Sequence, residues 1–182
     1  MRYALVCILA ISTAGLLALA QEAGPKANKL APYVPTPQTI VKKMLQLGAL
    51  KPGEKMFDLG SGDGRIVIMA AKEFKAQAVG VEFDPDLAAR SSAAIHKAGL
   101  DKTAKIVQGD IFDQDYSSAD LITVYLLPES NKKVQPMLEK QLRKGTRIVA
   151  HDFAFPEWQT VREETIEDDG TGRSHTLYLY VR

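Results

Sequence analysis

Lys55-Met56-Phe57-Asp58-Leu59-Gly60-Ser61-Gly62-Asp63-Gly64-Arg65, answered by Val79-Gly80-Val81-Glu82, decides how this chain reads. The pattern is a β-strand, a glycine turn, the start of a helix, and a second strand that ends in a carboxylate. That is half of a nucleotide-binding α/β sheet, with an acid placed to meet a ribose. Alternate glycines let the backbone turn sharply after a strand and let a ligand approach the main chain closely. The dinucleotide fingerprint needs glycine at its first, third and sixth positions. Counted from Gly60, the sixth position is Arg65, a large cation, so that reading fails. A P-loop fails too, because no Gly-Lys-Ser/Thr follows.

The acids refine the ligand. Asp58 lies where the first strand ends, and a carboxylate there would repel a pyrophosphate. It suits a ligand carrying an ammonium and a sulfonium, as S-adenosylmethionine (SAM) does. Glu82 closes the next strand about twenty residues after the loop, the spacing at which an acid meets ribose hydroxyls. Asp110 follows the run Ala104-Lys105-Ile106-Val107-Gln108-Gly109 and would end the third strand on the same edge. An ordinary strand-to-helix turn with helix-capping acids is the plain alternative. Three acids at three successive strand ends weigh against it.

The segments DLGSGDGR (58–65), VGVEFDP (79–85), GD (109–110) and YLLPE (125–129) resemble class I SAM-dependent methyltransferases. With YVPTP (33–37), GTRIVAHDF (145–153) and HTLYLYVR (175–182), the chain is more narrowly similar to the protein-lysine methyltransferases that modify the ATP synthase c subunit and the adenine nucleotide translocase. The resemblance runs from Tyr33 to Arg182. It implies SAM as cofactor and the usual seven-stranded order of these enzymes. Carried over residue by residue, it puts Gly60, Ser61, Gly62 and Gly64 at the methionine half, with Asp58 near the ammonium. It puts Glu82 on the ribose, and Asp110 and Ile111 at the adenine, with Asp110 on its amino group.

The chain has 182 residues and a formal charge of +1, enough for about one domain with a substantial core. The near-neutral charge gives no support for a nucleic-acid partner. Cys7 is the only cysteine, so the folded part has no disulfide and no cysteine nucleophile. The three histidines show no metal-ligand spacing, and no metal site is expected. Residues 1–20, a positive start with an apolar middle and the exit Ala18-Leu19-Ala20, read as a secretory signal or an uncleaved membrane anchor. Lys26, Lys29, Lys42 and Lys43 after that segment would keep an anchored domain on the SAM-containing side. The chain is therefore expected to be membrane-associated through residues 1–20, or exported after cleavage.

Residues 21–35 read as a linker and 36–182 as the catalytic domain. Thr36 is expected to N-cap a helix with Pro37 at its first position. Strands are expected at Lys55–Leu59, Ala78–Glu82, Ala104–Gln108, the apolar run Leu121–Leu127, Thr146–His151, Val161–Ile166 and Thr176–Val181. Asp84 caps the helix that Pro85 begins. A helix from about Asn131 to Leu142 carries Pro136, which should kink it or delay its start. Strands alternating with helices before a final hairpin give one α/β domain, a doubly wound Rossmann-like sheet whose last strand is antiparallel.

Tyr125-Leu126-Leu127-Pro128 stands where amide and exocyclic-amine methyltransferases carry Asn/Asp-Pro-Pro-Tyr. With Tyr125 in place of a carboxamide or carboxylate, methylation of adenine or glutamine is disfavoured. A tyrosine beside an apolar rim suits an aliphatic amine, through its ring face and its hydroxyl. A lysine amine has a pKa of ~10.4 in water and must lose a proton before it attacks. Tyr125, Glu129, His151 and Asp152 are the catalytic candidates, the last three to orient the amine or accept its proton. His151 could equally be a satisfied histidine at a strand end. Tyr33 reads either as a cover over the site or as a hydrophobic staple for the following helix. The leading reading is a lysine methyltransferase acting on a membrane-associated, even membrane-embedded, protein. A small-molecule methyltransferase and a SAM-binding protein without turnover remain open.

Overall fold

The computed structural model describes residues 30–182. In chain order the elements are α1 (Gln38–Leu47), β1 (Lys55–Leu59), α2 (Arg65–Glu73), β2 (Gln77–Glu82), α3 (Pro85–Lys97) and β3 (Ala104–Gln108). A 3₁₀ turn (Ile111–Asp113) follows, then β4 (Leu121–Val124), α4 (Pro128–Gln141), β5 (Arg147–His151), β6 (Arg162–Ile166) and β7 (His175–Val181). The seven strands form one sheet in the order β3-β2-β1-β4-β5-β7-β6. The first five pair in parallel, and β7 runs antiparallel between β5 and β6. The expected α/β sheet with an antiparallel final strand is the fold observed.

The central strands are buried on both faces and largely apolar, with Asp58, Thr123 and His151 the buried polar exceptions. Their side chains alternate between faces with the period of two that a pleated strand imposes. Met56, Leu121, Val149 and Leu177 join Ile40, Val41, Met44 and Leu45 of α1 and Ile66, Val67 and Ala70 of α2 in one core. Phe57, Ile122, Ile148 and Tyr180 turn the other way, onto Val134 and Leu138 of α4. Reversal of strand order between β1 and β4 leaves a crevice at the carboxyl ends of the strands, the usual ligand position in such sheets.

Two local expectations need correction. Pro37, not Thr36, is the cap residue of α1, and no side chain caps that helix among the described residues. The Thr36 hydroxyl instead lies 3.2 Å from His151 Nδ1, a tertiary partner that displaces the local one. Helix α4 starts earlier than expected, with Pro128 in its first turn, where a missing N–H costs nothing. It then runs through Pro136 to Gln141, and burial of Val134 and Leu138 on either side offsets the lost hydrogen bond. The caps of α3 are as expected: Asp84 Oδ1 accepts from the N–H groups of Asp86 and Leu87, with Pro85 next in line.

The expected membrane association does not carry over. Among the described residues no helix is long and apolar enough to cross a membrane. Residues 1–20, on which the signal or anchor reading rested, lie outside the described residues.

Candidate active site

The glycine loop is built as its spacing requires. Gly60, Gly62 and Gly64 have φ of 74°, 55° and 77°, in the left-handed region. The N–H groups of Gly60 and Ser61 both donate to the Val81 carbonyl at 2.9 Å, which lays the loop across the end of β2. Ser61 sits above Gly80, where a Cβ would come within 2.5 Å of its hydroxyl. Gly80 is therefore part of the loop's construction, although its place inside a strand gave no hint of that.

The acids meet at one cleft. Asp58, Gly60, Ser61, Gly62, Glu82, Asp110, Ile111 and Tyr125 all line it. Gly64 is absent from that lining and serves as the N-cap of α2. Glu82 Oε2 accepts from the Gly62 N–H at 2.7 Å and Oε1 from the Asp84 N–H at 2.9 Å, so the carboxylate is aimed by the backbone on both sides. Each oxygen keeps a lone pair for a ligand hydroxyl. Asp58 is buried and accepts from the Thr123 hydroxyl at 2.8 Å. Burial pushes its carboxyl up to about 7, and the Glu82 charge adds to the effect. Asp110 Oδ1 accepts from the Phe112 N–H and caps the 3₁₀ turn, which seats buried Ile111 in the cleft wall.

These residues fit SAM. The Ser61 hydroxyl is buried without a protein partner, an orphan in the lining that a polar ligand group would satisfy. A Cβ on Gly62 would stand 2.8 Å from the Tyr33 ring, so only glycine lets that aromatic close over the loop. Carboxylates outnumber cations in the lining, and Arg65 there is already gripped by Asp63, a balance that suits a cationic ligand. Phe83, which sequence reasoning passed over beside Glu82, adds an exposed ring to the lining.

The segment before α1 forms the cover. Leu30 to Thr36, whose first residues were expected to belong to a linker, run along the cleft. Arg65 holds this strap: its Nη1 donates to the Thr36 carbonyl at 2.8 Å while Asp63 grips the guanidinium. The cation that excluded the dinucleotide reading thus has a task. Tyr33 packs on Gly62, so it serves as a cover and not as a staple of α1.

The catalytic candidates divide. Tyr125 lies at the end of β4 in the cleft wall, its ring tilted by 38° against His151 with centroids 3.9 Å apart and its hydroxyl donating to Asp152 Oδ2 at 3.2 Å. Burial and the Asp152 charge push the phenol up to about 12, so it keeps its proton at neutral pH. Asp152 has φ of 57°, a left-handed conformation rare outside glycine that turns its carboxylate back toward Tyr125. His151 is fully buried, and that burial brings its imidazole down to about 4, a neutral ring. Glu129 stands exposed on the first turn of α4, outside the cleft lining.

Sequence reasoning missed His175 and Asp169. His175 Nδ1 lies 2.8 Å from His151 Nε2 and 3.1 Å from Asp152 Oδ2, and its Nε2 is 3.2 Å from Asp169 Oδ2. His151, Asp152 and His175 thus bring metal-capable donors together. The nitrogen pair is nevertheless closer than the ~3.3 Å that two nitrogens keep on tetrahedral zinc, and matches a hydrogen bond.

The profile of the ANTKMT methyltransferase domain matches residues 58–162. The chain belongs to this family. A protein-lysine N-methyltransferase of Saccharolobus islandicus is 42% identical over 82% of this chain and 92% of its own length. A Xenopus laevis lysine N-methyltransferase of the ATP synthase c subunit is 34% identical over 74% of this chain, which spans 59% of that enzyme. The crystal structure of an RNA methyltransferase from Salinibacter ruber, in complex with S-adenosylhomocysteine, superimposes with a TM-score of 0.75 at 41% identity. It covers 81% of this chain and 93% of the other. The chain is a SAM-dependent methyltransferase, and the family resemblance read from its motifs holds.

Proposed function

We propose that this enzyme methylates the ε-amine of lysine in a protein. The observation that carries the proposal is Tyr125, which presents an aromatic face and a protonated phenol where planar amines would meet a carboxamide. The lysine methyltransferases of S. islandicus and X. laevis support the same reading. SAM supplies a methyl group already activated by its sulfonium. The protein's task is then to bind, align and deprotonate. Gly60, Ser61, Gly62 and Asp58 take the methionine half, Glu82 the ribose, and Asp110 with Ile111 the adenine. The apolar wall of Tyr125 and Leu126 desolvates the amine and lowers its pKa. Alignment of nitrogen with the methyl carbon supplies much of the rate. A membrane-associated acceptor is the finer part of the proposal, supported by the resemblance to the c-subunit enzymes.

The S. ruber structure, described as an RNA methyltransferase, favours a second reading, an RNA substrate. One experiment separates the two. The full chain is incubated with radiolabelled SAM and with membrane and soluble fractions of the source cell, beside a Glu82→Ala control. Nuclease-resistant label recovered as methyl-lysine after hydrolysis is expected. Label removed by nuclease would replace the proposal with the RNA reading.

A further inference from the structure

A second pocket lies behind the cofactor cleft, and the two share a wall. It is bordered by Pro37, Asp169, Thr171, Arg173 and His175, and it has Val34, Pro35 and Tyr125 in common with the cleft. Tyr125 is thus the partition between a cofactor site and a space open from the β6–β7 turn. An unbroken row of contacts starts from that partition. The Tyr125 hydroxyl meets Asp152 at 3.2 Å, Asp152 meets His175 Nδ1 at 3.1 Å, and His175 Nε2 meets Asp169 at 3.2 Å. Asp169 is in turn held by Thr171, whose hydroxyl and N–H both donate to its Oδ1 at 2.7 Å. Those bonds, with His175, bring its carboxyl down to about 2, so a negative charge lies in the pocket wall, on a side chain that is itself almost wholly buried.

Building on the lysine reading, we propose that the acceptor amine enters through this second pocket and that its proton leaves along Tyr125 and Asp152 to His175. Asp169 draws the ammonium in. Arg173, exposed in the same wall, is the one arginine or lysine among the described lining residues. At the partition the ammonium passes a proton to the Tyr125 oxygen as the phenol passes its own to Asp152, and His175 receives it. The freed lone pair then forms the N–C bond with the methyl carbon. The C–S bond breaks with its electron pair going to sulfur, and the products are methylated ammonium, S-adenosylhomocysteine and the one proton held on His175. His175 acts through Asp152 and Tyr125 and is a positioning and relay residue. The groups facing it are His151, Asp152 and Asp169, with Tyr125 against the His151 ring and the Thr36 hydroxyl behind it.

Two measurements on the full chain test this. In the first, n-pentylamine, a lysine side-chain mimic, is titrated into the protein saturated with S-adenosylhomocysteine while imidazole NMR signals are followed. The His175 signals should move and those of exposed His96 should not. Asp169→Asn should weaken the amine by about tenfold, the loss expected from a charge-assisted contact, with S-adenosylhomocysteine affinity unchanged. Silent His175 signals, or an Asp169→Asn variant that binds the amine as before, would overturn the entrance. In the second, methyl-lysine formation is followed against pH. His175→Gln should lose about tenfold or more in kcat near neutrality and recover in alkali, where the amine is already neutral, with KM little changed. A loss equal at every pH overturns the relay. Wild-type enzyme that forms methyl-lysine while both variants behave normally sinks this inference alone. Absence of methyl-lysine with amine still bound at His175 sinks the lysine reading alone.

Discussion

In the proposed placement beside the SAM ammonium, Asp58 is one carboxyl group whose state decides how the cofactor is received. With burial holding its pKa near 7, it is largely protonated in mildly acidic solution. An ammonium beside it favours the charged form, so binding SAM must pull the proton off. Affinity for SAM should therefore rise as pH goes from about 5.5 to about 7.5, by up to about tenfold per unit on the acid side. Calorimetry across that range checks it, and Asp58→Asn should bind more weakly at the upper end and lose the slope. Stability carries the opposite sign. The folded protein holds this proton more tightly than the unfolded chain, so the group's contribution is fullest below the ordinary carboxyl value of 3.8 and is lost as pH climbs through about 7. Asp58, Glu82 and the glycines were legible because each sits at a fixed offset from a strand end. Gly80 was not, because what it makes room for, the Ser61 side chain, lies nineteen positions away in sequence on the loop above it.

At the scale of the element, the strap before α1 is the piece that moves a local contact into a functional one. Its bonds include Arg65 to the Thr36 carbonyl, the Thr36 hydroxyl with His151, the Ser130 hydroxyl to the Leu30 carbonyl, and the Tyr33 hydroxyl with Asp63. Arg65→Ala removes the first of these and takes away the ion-pair partner of Asp63. Bound cofactor should then escape faster, with the dissociation rate rising about fivefold to twentyfold while the fold survives; stopped-flow displacement of S-adenosylhomocysteine reads it. Arg65→Lys should recover little, since one ammonium cannot grip the Asp63 carboxylate through two nitrogens and reach the Thr36 carbonyl as well. The antiparallel pairing of β5 with β7 explains why half of the chemistry was hidden. His151 and His175 are separated by 24 positions, and Thr36 lies 115 positions from His151. No recognised spacing rule links these particular positions. Only the register, which sets His151 opposite Leu177, makes these groups neighbours.

For the whole molecule, cofactor and fold are linked by mass action. A ligand that binds only the folded state at one hundred times its Kd adds about 2.7 kcal/mol, which for a domain of this size raises Tm by roughly 5–10 °C. Differential scanning fluorimetry with S-adenosylhomocysteine should show that rise, and NAD at the same concentration should give none. The element order and the sheet class were readable from the alternation of strand and helix patterns, and Tyr33 was readable as one of two alternatives, a cover, while the bonds that hold the strap and the second pocket emerged only from packing. The position of β7 has one more consequence. Residues 175–181 fill a gap between β5 and β6, and among the described residues β6 has no other neighbour in the sheet. A chain without β7 would therefore leave β6 with nowhere to dock and β5 with a bare edge. Two strand borders stay unsatisfied until β7 slides between them. A polypeptide stalled or clipped before His175 would be an invitation to chaperones and to its own neighbours, however complete its cofactor loop.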